Sequence, residues 1–159
     1  MTKQLAKLLL GLLVVAGPAC GRKGPLEVPQ GRVPMAIERL LAVARDGRVV
    51  LEWTNPAKTV SGRPLGPLAE VEIWVFERDI PAAGTSLSTS MVEKSARLAH
   101  RLVADPSAAG SFVFDPGPSG PERLAFTARV LDRKGRASDF SPLAVVAIVR
   151  PPAVLDRTT

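Results

Sequence analysis

Three stretches of this 159-residue chain alternate apolar and polar side chains with a period of two, which is the pattern of a half-buried β-strand. They are RVVLEW at 48–53, EVEIWVFE at 70–77 and LAFTARVLD at 124–132. Because alternate side chains of a strand point to opposite faces, each stretch assigns an inward set and an outward set. The inward sets are expected to share one core, made of Val49, Leu51, Trp53, Val71, Ile73, Val75, Phe126, Ala128 and Val130.

Turn signals separate these strands. Asp46-Gly47 predicts a hairpin turn, DRKG at 132–135 predicts another turn, and the segment 54–68 is rich in Pro and Gly. PLAVVAIV at 142–149 is typical of a further strand, while SARLAHRLV at 95–103 fits either a helix or a strand. Short strands spaced by turns favour an all-β fold made of two packed sheets.

Residues 1–19 have the three parts of a secretory signal peptide. Lys3 and Lys7 give a basic start, Leu8 to Ala16 carry no charge, and small residues follow at Gly17 and Ala19. The apolar run is shorter than the roughly 20 residues that a membrane-spanning helix needs. The sequence therefore predicts export.

Cys20 is the only cysteine, so it has no partner within the chain for a disulfide. Its place after the apolar run resembles the lipobox of bacterial lipoproteins, in which the cysteine receives lipid and becomes the mature N-terminus. Gly17 and Pro18 depart from the usual box. Ordinary cleavage after Ala19, which leaves a free thiol at Cys20, is the alternative.

The segment that begins at this cysteine, CGRKGPLEVP, resembles the start of the lipopolysaccharide-assembly lipoprotein (LptM) family. That resemblance implies association with the barrel that delivers lipopolysaccharide to the outer membrane. In bacterial lipoproteins an Asp directly after the lipidated cysteine retains the protein in the inner membrane, and Gly21 stands there instead, which favours delivery to the outer membrane. The residues that carry the resemblance, with the intervening variable arginine, are Cys20, Gly21, Arg22, Lys23, Gly24, Pro25 and Leu26.

A simpler interpretation of residues 20–35 is a spacer. Prolines and glycines favour extended backbone, and Arg22 and Lys23 suit anionic lipid head groups. We expect the folded domain to occupy residues 36–150 and a disordered tail to occupy 151–159.

The folded part resembles a fibronectin type III domain. The resemblance rests on DGRVVLEWTNP, SGRPLGPLAEVEIWVF and AFTARVLDRKGRASDFSP, in that order. It implies the two-sheet immunoglobulin-like sandwich, places Trp53 in the core, and favours a strand for SARLAHRLV. Phe126 stands where the family usually has a tyrosine, so the hydrogen bond of a tyrosine corner is lost here.

No catalytic or metal-binding constellation is evident in the sequence. His100 is the only histidine and is expected to be a packing or surface residue. A metal site needs several ligands, and besides Cys20 the sequence offers only this histidine. Glu70 and Glu72 lie about 7 Å apart on one side of a strand, where a solvated strand face is expected. The net charge of +6 comes without basic and aromatic residues interleaved, which argues against nucleic-acid binding. We expect neither enzyme activity nor a cofactor.

The outward side chains of the second strand suggest a contact surface. Trp74 and Phe76 point away from the core set, so they are expected to be more exposed than Trp53. The family's sheet order places the strand that holds Arg129 beside them and the strand at 143–149 beyond it. Two alternatives are a private cation–π pair between Trp74 and Arg129, and coverage of the aromatics by Leu98, Leu102 or the N-terminal segment.

The sequence thus predicts a non-enzymatic envelope lipoprotein that presents a protein-binding domain. The alternatives are a glycan-binding or accessory module and a structural spacer. The predicted partner-binding residues are Arg22, Lys23, Gly24, Pro25, Leu26, Trp74, Phe76 and Arg129.

Overall fold

The computed structural model describes residues 29–104 and 109–149. This part of the chain contains a 3-10 turn at Pro29–Arg32, seven β-strands and one α-helix, α1, at Thr89–Ser95. The strands are β1 (Leu40–Arg45), β2 (Arg48–Thr54), β3 (Leu68–Phe76), β4 (Arg97–Val103), β5 (Ala109–Phe114), β6 (Arg123–Asp132) and β7 (Ala144–Ala147).

The strands form two antiparallel sheets. The three-stranded sheet has the order β1-β2-β5, and the four-stranded sheet has the order β4-β3-β6-β7. The predicted all-β, fibronectin type III-like sandwich is therefore confirmed. The expected neighbours of β3 are also confirmed, because β6 pairs with it and β7 lies beyond.

The β1–β2 hairpin turns at the predicted dipeptide. Asp46 and Gly47 both have positive φ, 52° and 75°, which is what a type I′ turn requires at its two central positions. Arg45 pairs with Arg48 directly across the turn, and this fixes the register of the whole hairpin.

The inward sets of both sheets meet in one core, as predicted. Val49, Leu51 and Ile73 are fully buried, and Trp53 is 6% exposed. The Trp53 ring lies over Gly110 on the neighbouring strand β5, where an added Cβ would approach the ring to 2.4 Å. The Trp53 ring can therefore occupy this place only if residue 110 has no side chain.

Phe126, at the position of the family's tyrosine, is a fully buried apolar residue. Its ring packs edge-on against Phe114 of the opposite sheet, with the ring centroids 5.2 Å apart. This aromatic contact across the core supplies packing where the hydroxyl of a tyrosine is missing.

The ambiguous segment SARLAHRLV is a strand from Arg97 onward, as the family resemblance favours. The preceding α1 was not predicted from the sequence. Ser88 caps its N-terminus by accepting a hydrogen bond from the backbone N–H of Met91 (3.3 Å), and only Val92 of the helix is buried. Because only one side chain in two turns is buried, the helix has no repeating apolar pattern by which it could be predicted from the sequence.

Backbone pairing begins upstream of the expected domain start at Ala36. Met35 donates to the carbonyl of Lys58, and Ser61 donates to that of Gly31. Residues 31–35 are thus hydrogen-bonded to the β2–β3 connection. Within the described residues no helix is long and apolar enough to cross a membrane.

Several predictions fall outside the described residues. They are the signal peptide at 1–19, the lipid attachment at Cys20, the contact residues Arg22, Lys23, Gly24, Pro25 and Leu26, and the tail at 151–159.

Candidate binding surfaces

The outer face of the four-stranded sheet, on which the sequence places Trp74, Phe76 and Arg129, is covered around Phe76. Phe76 is fully buried, so the prediction that it is more exposed than Trp53 is wrong. It packs in a second apolar cluster with Val92 of α1, Ala125 and Phe140. The alternation of β3 does turn Phe76 away from the main core, but α1 and the β6–β7 connection lie over it.

Hydrogen bonds to β6 fix the connection that carries Phe140. The hydroxyl of Thr127 donates to the Ser141 carbonyl (2.8 Å), and the Ser141 hydroxyl accepts from the backbone N–H of Ala128 (3.0 Å). Ser141 in turn donates its backbone N–H to the Ala128 carbonyl (2.8 Å). Phe140 is therefore held against the sheet by its neighbour Ser141.

Trp74 is half-buried, and it is more exposed than Trp53, as predicted. Its ring meets Phe140 edge-on at 6.1 Å between centroids. The Arg129 guanidinium lies 5.8 Å from the Trp74 ring centroid and 4.9 Å from that of Phe140. The cation–π alternative is thus confirmed, and Arg129 and Trp74 serve each other as packing partners.

Glu72 lies at the centre of this arrangement and is 1% exposed, so the expected solvated strand face is wrong for this residue. Its Oε2 accepts from Arg129 Nε (2.7 Å) and Trp74 Nε1 (3.2 Å), and its Oε1 lies 3.0 Å from Arg101. A buried carboxylate needs such partners, and here two guanidinium groups neutralise it. Glu70 is half-buried. We call the set Glu72, Trp74, Phe76, Arg129 and Phe140 the closed face.

The outer face of the three-stranded sheet is different. Val43, Val50 and Val113 lie side by side across β1, β2 and β5 in the strand register. Val43 is 51% exposed, Val113 is 54% exposed and Val50 between them is half-buried. Leu41, 39% exposed, extends this apolar row toward the next register position. We call the set Leu41, Val43, Val50 and Val113 the open face.

A groove of about 450 Å³ continues the open face toward Trp53. Leu41 lines it together with Glu52, Arg39 and Gly110. Trp53 also lines the groove, and it donates its indole N–H to Asn55 Oδ1 (3.0 Å). The open face therefore has an apolar centre, with charged residues beside it.

The sequence prediction missed the open face, although a signal for it exists. LLAVAR in β1 alternates so that Leu40, Ala42 and Ala44 turn inward while Leu41 and Val43 turn outward. Two large apolar side chains on the outward register of a strand are such a signal.

His100, the one histidine, packs flat against Phe112 with ring centroids 4.9 Å apart. Since His100 is on β4 and Phe112 is on β5, this contact joins edge strands of the two sheets. The residue acts as a packing residue at the surface, as expected. No group of three metal-ligating side chains comes together in the described part of the chain.

One end of the sandwich is basic. A groove of about 310 Å³ there is lined by five cationic side chains, Arg32, Arg63, Arg133, Lys134 and Arg136, and one acid, Asp132. We call this set the basic end. It is formed by the 3-10 turn, the β2–β3 connection and the DRKG turn after β6.

The predicted DRKG turn is present, with Gly135 at φ 73°, and Asp132 organises it. Its Oδ1 accepts from the backbone N–H of Lys134 (2.8 Å) and of Arg136 (3.0 Å), and its Oδ2 lies 2.6 Å from the Arg136 guanidinium. Burial alone would raise the pKa of Asp132, but these hydrogen bonds and the Arg136 charge outweigh it and hold the pKa below its ordinary value.

No protein-family model and no curated protein matches the chain. Among solved structures, the third fibronectin III domain of human KIAA0343 protein is similar at 15% identity, with 84% of this chain and 99% of that chain covered and a TM-score of 0.46. T. fusca AA10A is similar at 11% identity, with 72% of this chain covered and a TM-score of 0.44. The chain spans 55% of the length of the latter protein.

Proposed function

We propose that this protein is a non-enzymatic binding domain that docks a protein partner on its open face. The observation that supports the proposal is the row formed by Val43, Val50 and Val113, with Leu41 beside it. Removing apolar surface from water is worth about 25 cal/mol per Å². Exposed strand valines therefore gain free energy from a partner that covers them.

The chemistry of the open face favours a protein partner. Protein interfaces combine an apolar centre with a polar rim. Here the apolar row has Arg48 and Asp115 at one end, joined in an exposed ion pair of 3.4 Å, and Glu52 and Arg39 at the other. Every Trp and Phe ring in the described residues is buried or half-buried, so the open face offers aliphatic groups.

The proposed cellular setting comes from the sequence. A lipid on Cys20 anchors the chain to the outer membrane, and residues 21–28 lead from the anchor to the sandwich on the periplasmic side. Within that setting the partner is an envelope protein. The resemblance of CGRKGPL to the lipopolysaccharide-assembly lipoprotein family makes the lipopolysaccharide transport barrel the first candidate.

Photo-crosslinking in intact cells tests the docking proposal. A photoreactive amino acid placed at position 43 or 113 is expected to trap the partner. The matched control is position 145, a valine on the closed-face side of β7 that is 40% exposed. Adducts at 43 and 113 but not at 145 support docking on the open face.

Other adducts identify other functions. A band at twice the mass of the chain means that a second copy is the partner, and a polysaccharide adduct supports the glycan-binding alternative. No adduct at 43 or 113, or equal adducts at 145, contradicts the proposal. The anchor is tested separately, since Cys20→Ser is expected to move the protein from the membrane fraction to the soluble periplasm.

A further inference from the structure

The basic end differs in charge from the opposite end of the sandwich. In the basic groove five cations face a single acid. At the opposite end, acids accompany the cations: Arg48 pairs with Asp115 and Arg97 pairs with Glu77. The exposed Arg78 and Lys94 of that end have Asp79 and Glu93 as their chain neighbours. The positive charge of the described residues is therefore concentrated at one end.

The single acid of the groove is already engaged. Asp132 is buried and accepts hydrogen bonds from two backbone N–H groups and from Arg136. Arg133 and Lys134, at the tip of the same turn, are exposed. The turn thus holds its backbone rigid through Asp132 while it projects two cations into solvent.

The chain reaches the sandwich at this same end. Arg32, the last residue of the 3-10 turn, lines the basic groove, and residues 31–35 are hydrogen-bonded beside it. An anchor in the N-terminal segment would therefore connect to the sandwich through its basic end.

We propose that the basic end docks on an anionic phospholipid bilayer and orients the domain on it. Each Lys or Arg near such a surface contributes about 1 kcal/mol, which is about fivefold in binding. Because the open face lies on the side of the sandwich, docking by the end leaves that face accessible to a partner. The nearness of the bilayer rests on the proposed anchor, but the affinity of the basic end for it does not.

Vesicle binding by the full-length chain tests the proposal. Vesicles of phosphatidylcholine are compared with vesicles that also contain phosphatidylglycerol, at about 0.1 M salt. The readout is the ratio of binding to the two compositions. Contributions of residues 1–28 are common to all variants, so differences between variants report on the domain.

The R133Q/K134Q pair is expected to lower this ratio by about twenty-fivefold, from two charges at about fivefold each. The control pair R78Q/K94Q removes the same charge from exposed positions at the opposite end, and it is expected to change the ratio less than twofold. The hydrogen bonds to Asp132 use the backbone of Lys134 and the backbone and side chain of Arg136, not the side chains of Arg133 and Lys134. The R133Q/K134Q variant is therefore expected to fold like the unmodified protein.

Three results would overturn the proposal. One is an equal loss in both variant pairs, which reports net charge alone. Another is an unmodified chain with no preference for anionic vesicles. The third is displacement from vesicles by millimolar inorganic phosphate at constant ionic strength, which identifies a discrete phosphate site. All three can occur whether or not crosslinks form at positions 43 and 113, so this proposal and the proposed function fail separately.

Discussion

The outer face of the four-stranded sheet buries Phe76 completely, whereas that of the three-stranded sheet leaves Val43 51% and Val113 54% exposed. Both faces carry large apolar side chains at outward strand positions. The difference lies in the connections between strands, since α1 and Phe140 cover the closed face. Period-two alternation therefore assigns a side chain to a face, and the connections decide whether that face meets water.

The comparison is tested most severely at Phe76. Phe76→Ala is expected to lower the free energy of unfolding by about 3–5 kcal/mol, because it opens a cavity under α1. Val113→Ala on the open face is the control and is expected to cost less than about 1 kcal/mol. Urea denaturation measures both. A loss below about 1 kcal/mol for Phe76→Ala would mean that the closed face is not closed.

The buried carboxylate of the closed face gives a second test. Glu72→Ala leaves the Arg129 guanidinium, 14% exposed, without its anion and is expected to cost about 3 kcal/mol. Glu70→Ala, two residues earlier on the same strand, is expected to cost less than about 0.5 kcal/mol. Thermal melts of the two variants compare them directly. Equal, small losses would show that the ion cluster is a surface feature.

The ion pairs of the two sheets are also expected to differ in how much they contribute to the free energy of unfolding. Asp132→Asn, which weakens the bonds that close the turn after β6, is expected to cost about 2 kcal/mol. Asp115→Asn, in an exposed pair with Arg48 beside the open face, is expected to cost less than about 1 kcal/mol. Chemical denaturation of the two variants at neutral pH measures this difference.

The Asp132 pair also predicts a pH dependence. Its pKa is lower in the folded protein than its ordinary value of 3.8, so the native state favours the carboxylate. That stabilisation is present above the ordinary value and is lost as the pH falls through the lower folded pKa. The Asp132→Asn variant has no carboxylate to protonate at this position. It is therefore expected to lose less stability than the unmodified protein as the pH falls through this range. An acid profile identical to that of the unmodified protein contradicts the assignment.

Much of the fold was predictable because its signals are local. The strand faces at 48–53, 70–77 and 124–132, the Asp46-Gly47 turn and the burial of Trp53 follow from alternation and turn chemistry. α1 was not predictable in this way, since Val92 is its only buried side chain. Its position over Phe76 depends on contacts between residues far apart in the chain.

The candidate surfaces were harder to predict for the same reason. Trp74 and Phe76 were correctly assigned to the outward register, but their cover comes from another part of the chain. Leu41 and Val43 have an equally clear outward pattern in LLAVAR, but aliphatic side chains are a weaker signal of a contact surface than aromatic ones. The basic end joins three segments that are remote in sequence, so no single stretch reveals it.

Partner capture by a matched pair of lysine variants tests the central claim most directly. Val43 and Val145 are both exposed valines on edge strands, one on the open face and one beside the closed face. Val43→Lys is expected to reduce the partner recovered from membrane extracts at least tenfold, while Val145→Lys retains it and both melt like the unmodified protein. If Val145→Lys loses the partner equally, or if Val43→Lys retains it in full, the open face is not the binding surface.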